Sequence, residues 1–120
     1  MKVWSKKRRI RWSQVKTWRD RFKERVGRCE MCLKRSDADY LDVHECVVGA
    51  LRQQALDKEW AVLALHRRCH SIMETLTIPH QLAYLLRARP DEFHLEAYHK
   101  LTGRKWPNIE QILLFWENLP

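Results

Sequence analysis

The chain has 120 residues, of which 45% are hydrophobic, and its formal net charge is +8. This length suits one domain with one modest core, and the hydrophobic content is enough to fold it. No stretch approaches the ~20 apolar residues of a membrane-spanning helix, and the basic N-terminus lacks the apolar region of a secretory signal. We therefore expect a cytoplasmic protein with no membrane partner.

The positive charge is concentrated at one end of the chain. Residues 1–35 hold 14 Lys or Arg against three acidic residues, whereas residues 36–120 carry a net charge of −3. This asymmetry predicts a polyanionic partner, and double-stranded DNA is the expected one. The alternatives are a solvated basic face and an anionic membrane surface. The side chains expected to bind nucleic acid are Lys6, Lys7, Arg8, Arg9, Arg11, Lys16, Arg19, Lys23 and Arg52.

Residues 1–28 form the first predicted segment, a basic arm followed by an amphipathic helix. Apolar residues recur at steps of three and four over residues 10–26, which is typical of a helix with one buried face. Gly27 is predicted to end the helix, Ser13 is a weak candidate cap near its start, and residues 6–9 are expected to be a flexible arm. The predicted buried stripe is Trp12, Val15, Trp18, Phe22 and Val26.

Residues 29–76 form the second predicted segment, which contains two strands and a helix. Residues 40–48 alternate as a short strand, with Asp42, His44 and Cys46 on one face. Residues 49–58 are expected to be an irregular connection, residues 60–65 a second strand, and residues 66–76 a turn that continues as a helix. Cys46 lies among apolar residues and is interpreted as a small buried hydrophobe.

Residues 77–120 form a predicted C-terminal helical layer within the same compact domain. Helices are expected over residues 81–87, 91–101 and 109–118, and the last has a clear start signal in Asn108 and Gln111. The expected fold class is therefore α+β. The apolar residues predicted to pack this layer against the core are Trp106, Ile109, Ile112, Leu113 and Trp116.

Two Cys/His pairs of equal spacing predict a structural metal site. Cys29-x-x-Cys32 and His66-x-x-Cys69 are separated by 33 residues, which is enough for a hairpin-sized insert. Structural Zn²⁺ takes four thiolate or imidazole ligands in a tetrahedron, and a chain that keeps its thiols reduced favours metal binding over disulfides. The alternative is a pair of buried free cysteines with an unrelated histidine.

The residues around these pairs resemble the HNH nucleases, also called the ββα-metal or His-Me finger family. Val43-His44-Glu45 lies between the two pairs, and the second pair runs directly into His70. The resemblance covers about residues 27–75, and the chain is similar to phage-type and bacterial members that carry a Val-His-Glu motif. It implies a ββα-metal core held by a pair of zinc knuckles. The basic N-terminal helix predicted from periodicity precedes this core.

The resemblance also implies a metal-dependent endonuclease or nickase that hydrolyses DNA phosphodiester bonds. His44 and His70 would bind a catalytic Mg²⁺ or Mn²⁺, and Glu45 stands where the family has its general base, which is usually a His. Alternatively, His44 is the base and Asp42 helps to bind the ion. Two other functions remain open: a catalytically inactive zinc-containing DNA-binding or regulatory module, and a protein whose basic end binds an acidic protein surface.

Overall fold

The computed structural model describes residues 5–120, which fold into helices and one two-stranded antiparallel sheet, confirming the α+β class. The elements are α1 (Lys6–Val26), β1 (Leu41–Glu45), α2 (Arg52–Ala55), β2 (Val62–His66), α3 (Arg67–Met73), α4 (Ile78–Ala88), α5 (Leu95–Thr102) and α6 (Ile109–Glu117). Within residues 5–120, no helix combines the length and apolar character that crossing a membrane requires.

Helix α1 begins earlier than predicted. The Ser5 side chain accepts a hydrogen bond from the Arg8 backbone N–H at 3.2 Å and caps the helix. The predictions of a flexible arm over residues 6–9 and of a cap at Ser13 were therefore wrong, because the capped first turn carries the helix through both. Residues 1–4 of the predicted arm lie outside the described residues. Gly27 ends α1 as predicted, with φ 64°, where a left-handed residue suits glycine.

The predicted apolar stripe of α1 is only partly buried. Val15 and Phe22 are buried in the core, and Trp18 stacks on Phe22 with ring centroids 5.1 Å apart. Trp12, by contrast, is 43% exposed. The N-terminal turns of α1 therefore project past the core and present their side chains to solvent.

Strands β1 and β2 form a hairpin-like pair at the centre of the molecule. Val43 lies opposite Ala64, and His44 lies opposite Leu63. Residues 62–65 of β2 are fully buried. The connection between the strands is not irregular as predicted, because a 3₁₀ turn (Gly49–Leu51) leads into α2, whose sequence of Arg, Gln, Gln and Ala has high helix propensity. Helix α3 follows β2 directly, so the end of β2 and the start of α3 lie side by side.

The C-terminal helices cover the sheet. Leu82 and Leu85 of α4 are buried, and Tyr98 of α5 donates a hydrogen bond to the Cys46 carbonyl at 2.8 Å. The capping box predicted from Asn108 and Gln111 is present at the start of α6. One apolar core therefore takes side chains from all three predicted segments.

The apolar residues of the C-terminal segment do not pack as predicted. Ile112 is fully buried, but the other four members of the predicted set are exposed. Helix α6 packs on α4 along a narrow stripe that contains Ile112 and Phe115, and Phe115 stacks on His80 with centroids 4.5 Å apart. The side of α6 next to this stripe, which carries Ile109, Leu113 and Trp116, is exposed. The four exposed residues are Trp106, Ile109, Leu113 and Trp116.

Candidate metal centres

The four predicted zinc ligands come together. One ligand atom from each of Cys29, Cys32, His66 and Cys69 lies within 4.8 Å of all the others, and the Cys32 Sγ is 3.5 Å from the His66 Nδ1. The first two residues come from the turn after α1, whereas His66 ends β2 and Cys69 lies in α3. Three thiols and one imidazole form a donor set that can bind zinc with no coordination position left open.

The turn that carries Cys29 and Cys32 is fixed to β2 by a buried carboxylate. The Glu30 backbone N–H donates to the Ala64 carbonyl at 2.8 Å, and the Glu30 carboxylate accepts the Ala64 N–H at 2.9 Å. The other carboxylate oxygen accepts a hydrogen bond from the Arg89 Nε at 2.7 Å. Glu30 is fully buried, so its charge requires this partner. The sequence did not identify either residue as a support of the site.

The thiols of this cluster affect one another's pKa because they lie close together. Burial, together with the neighbouring thiols of Cys29 and Cys32, raises the pKa of Cys69 to about 12. Burial acts on Cys29 in the same direction, but backbone hydrogen bonds outweigh it, and the net pKa of Cys29 is lowered. Three thiolates in one place repel each other, and a divalent cation removes that repulsion. Cys46 is buried elsewhere, as predicted, and burial raises its pKa to about 12.

A second cluster combines His44, His70 and Glu74. One donor atom of each lies within 4.8 Å of the others. His70 Nε2 is 3.2 Å from the Glu74 carboxylate, and the two imidazole rings meet edge to face with centroids 5.1 Å apart. His44 comes from β1, whereas the other two lie on α3 or directly after its last residue. The predicted pair of histidines is thus brought together, and Glu74 joins it as a residue that the sequence analysis missed.

Helical spacing was the available signal for Glu74. Residues four apart lie on the same face of a helix, so His70-x-x-x-Glu74 places an imidazole and a carboxylate side by side once α3 is expected there. Asp42 lies behind this pair, with its Oδ2 3.1 Å from the His70 Nδ1. Because Nδ1 faces Asp42, the other ring nitrogen of His70, Nε2, faces Glu74. Asp42 therefore orients His70, the common role of a carboxylate beside a metal-binding histidine.

Gln81 fixes the protonation pattern of His44. The Gln81 side-chain N–H₂ donates to the carbonyls of Met73 and Leu76, so its Oε1 is the atom facing His44 at 2.7 Å. Only an N–H can bond to that oxygen, so the His44 Nε2 carries the proton and the Nδ1 lone pair is available. Burial lowers the pKa of His44 more than this hydrogen bond raises it. His44 is only 6% exposed and presents a neutral imidazole.

Glu45 is held by two guanidinium groups. The Arg19 Nη1 and the Arg52 Nη2 each lie 3.2 Å from the same carboxylate oxygen, and Arg19 also donates to the Val43 carbonyl at 2.8 Å. Burial alone raises the pKa of Glu45, but the two arginines outweigh it and lower the net pKa. Glu45 lines the same cavity as His44 and His70, where it is a stable anion.

Apart from Arg8, which lines the groove described below, the residues predicted to bind nucleic acid fall into two groups. Lys6, Lys7 and Arg9 are exposed on the first turns of α1 and form no ion pair with any described residue. Others are engaged within the protein: Arg11 forms a two-bond pair with Asp57, at 2.7 and 3.1 Å. The remaining pairs join Lys16 and Lys23 to Asp20, and Arg19 and Arg52 to Glu45.

A groove runs from α1 toward the second cluster. Arg8, Arg11, Arg19 and Arg52 line it together with the exposed face of Trp12. Arg52 also lines the cavity of about 440 Å³ that contains His44, His70 and Glu74. The groove beside the basic helix and the cavity of the His/Glu cluster therefore share Arg52 in their walls.

Comparison of the chain with protein-family models, with curated proteins and with solved structures finds no match. The functional assignment accordingly depends on the geometry of the two centres.

Proposed function

We propose that this protein is a metal-dependent endonuclease or nickase of the HNH type that hydrolyses phosphodiester bonds of DNA. The observation that carries the proposal is the meeting of His44, His70 and Glu74 at an open cavity that an arginine-lined groove joins to a basic helix. A cluster of ion-binding side chains and a path for a polyanion are the two requirements of such an enzyme.

The order of the elements supports the ββα-metal part of the proposal. Cys29 and Cys32 precede β1, the second ligand pair spans the junction of β2 and α3, and His70 directly follows Cys69. A zinc ion at this place would hold the start of α3 against the turn after α1. It would thereby position His70 opposite His44, which gives the zinc site a structural role in the proposed enzyme.

The donor set of the second cluster suits a divalent ion of intermediate softness. Two imidazoles and one carboxylate match Mn²⁺ better than Mg²⁺, which prefers an all-oxygen environment. His44, His70 and Glu74 would hold the ion, and Asp42 would keep His70 in orientation. When bound, such an ion lowers the pKa of water and neutralises charge on the phosphate and the leaving 3′ oxygen.

The surrounding side chains supply binding and orientation. Gln81 holds the His44 ring with its Nδ1 lone pair available, and Arg52, half exposed beside the cavity, is placed to contact a phosphate oxygen. In the reaction, water adds to phosphorus while the bond to the 3′ oxygen breaks, and the proton that the water loses passes through solvent to the leaving 3′ oxygen. Because Glu45 is held by two arginines, we assign it to positioning Arg19 and Arg52 and not to accepting the proton.

A plasmid assay tests the proposal. Supercoiled DNA should be converted to relaxed or linear forms by the zinc-loaded protein with Mn²⁺, and more slowly with Mg²⁺. His70→Ala and Glu74→Ala should each reduce the rate by at least ~100-fold, with zinc content and circular dichroism unchanged. Glu117→Ala, which removes an exposed carboxylate from α6, is the matched control and should cleave normally.

The alternative is a zinc-containing DNA-binding or regulatory module without catalysis. The ion pairs of Glu45 favour it, because they occupy the side chain that stands at the family's base position. Folded, zinc-loaded protein that binds DNA but cleaves none with Mn²⁺, Mg²⁺ or Ni²⁺ would establish this alternative and exclude the enzyme.

A further inference from the structure

A second cavity adjoins the one that holds the His/Glu cluster. It has a volume of about 360 Å³ and shares Val47 and Val48 with the first cavity as a common wall. This volume falls within the ~300–1,000 Å³ of typical small-molecule sites. The two cavities are therefore neighbouring parts of one continuous surface.

An exposed aromatic ring and a cation line this second cavity. Trp106 is 46% exposed, and Arg104 lies two residues before it in the loop between α5 and α6. Apolar side chains, among them Leu51 and Ile78, line the cavity beside them. A large aromatic surface left in water next to a candidate active site is more informative than an isolated exposed hydrophobe.

The loop that carries Trp106 is held firmly. The His99 Nε2–H donates to the Pro107 carbonyl at 2.6 Å, Pro107 is buried, and the capping box of Asn108 fixes the following turn. The indole is thus presented on a rigid support, which reduces the entropic cost of stacking a ligand on it. Packing in the core does not account for its position.

On the basis of the nuclease function proposed above, we infer that this second cavity binds an unpaired nucleobase next to the scissile phosphate. A nucleobase offers a flat π face to Trp106, and Arg104 can contact the phosphate attached to that nucleotide. A base within an intact duplex is stacked on its neighbours and cannot enter such a cavity. The preferred substrate is therefore DNA with an unpaired nucleotide at the cut, such as a bulge or a gap.

The two sides of the candidate active site then have different tasks. The groove is lined mainly by arginines, which suits the phosphate backbone of a flanking duplex. The Trp106 cavity lies on the other side of the shared wall and suits one extruded base. Removing Trp106 therefore tests base capture separately from electrostatic binding, because stacking of a base in this cavity requires that indole.

Binding of 2-aminopurine DNA tests the inference without cleavage. The full-length His70→Ala protein would be titrated with a duplex carrying 2-aminopurine in a one-nucleotide bulge, and with the fully paired counterpart. We expect tighter binding and stronger fluorescence quenching for the bulge. Adding Trp106→Ala should weaken bulge binding by about 5- to 150-fold and leave paired binding unchanged, whereas Trp106→Phe should retain most of the affinity.

Trp116→Ala is the matched control. Trp116 is 45% exposed, nearly the same as Trp106, but lies on α6 outside the cavity, so its removal should change neither measurement. Equal affinity for bulged and paired DNA, or equal losses in the Trp106→Ala and Trp116→Ala proteins, would overturn the inference.

Cleavage is measured separately on the protein with His70 intact. Trp106-dependent quenching without cleavage would support the base cavity and refute the nuclease. Cleavage of paired and bulged DNA at equal rates would support the nuclease and refute the base cavity.

Discussion

Single buried polar residues decide how both centres are built. Gln81 directs the His44 lone pair, and Glu30 ties the cysteine turn to β2 and Arg89. The ligands themselves could be predicted from spacing, because metal chemistry restricts which residue types recur at short intervals. The roles of Gln81 and Glu30 could not be predicted, because their partners lie 37 and 59 residues away in the sequence. Local sequence patterns do not indicate such distant contacts.

Glu45→Gln separates two roles for this side chain. If Glu45 positions Arg19 and Arg52, the neutral amide still accepts a hydrogen bond, and Mn²⁺-dependent cleavage should fall by less than about 10-fold. A general base would lose ~10²–10⁴-fold on the same change. The rate of plasmid cleavage under single-turnover conditions decides between them. A loss in the larger range would return Glu45 to the base role that its place in the sequence suggested.

At the level of whole elements, the sequence predicted which segments are helices or strands better than it predicted where they begin and end. Helical periodicity located α1 and α6, and alternation located β1. The start of α1 was missed because its first turn is almost entirely basic and carries no apolar period, while the cap that begins it is a single serine. The exposure of apolar residues on α6 was not predicted for a different reason. Apolar residues at helical spacing predict a helix, but this spacing does not indicate whether each of them contacts the core.

The first turns of α1 are predicted to supply electrostatic affinity for DNA. Lys6, Lys7 and Arg9 are exposed on the first turn of α1, and each phosphate neutralised contributes about −0.9 to the slope of log affinity against log salt. Replacing all three with Gln should make this slope less steep by up to ~2.7 on duplex DNA, with α1 still folded.

A control variant with the same loss of charge isolates this effect. Lys34, Lys58 and Lys100 lie outside α1, and their joint replacement with Gln lowers the net charge equally. An equal change of slope in the two triple variants would show that net charge matters and that the position on α1 does not. Fluorescence anisotropy at four or more salt concentrations gives both slopes.

For the molecule as a whole, the C-terminal third supports both centres. Gln81 of α4 reaches the His44 ring, and Arg89, just after α4, reaches Glu30 beneath the cysteine turn. The sequence predicted this third only as a helical layer that packs on the core. The C-terminal third in fact contributes long-range polar contacts to both centres. These contacts come from α4 and the residue that follows it, so α4 connects the two centres.

The zinc site is predicted to hold the fold and the second cluster together. Zinc binding contributes ~10 kcal/mol or more of apparent free energy in small zinc domains, so Cys69→Ser should abolish zinc binding and lower the melting temperature sharply. Because His70 follows Cys69 directly, the same variant should also lose the Mn²⁺-dependent activity.

Cys46→Ala is the control: it removes a buried thiol that is no ligand and should keep one zinc per chain. Metal analysis and thermal unfolding of both variants measure this. A Cys69→Ser protein that retained zinc and its melting temperature would contradict the structural role of the site.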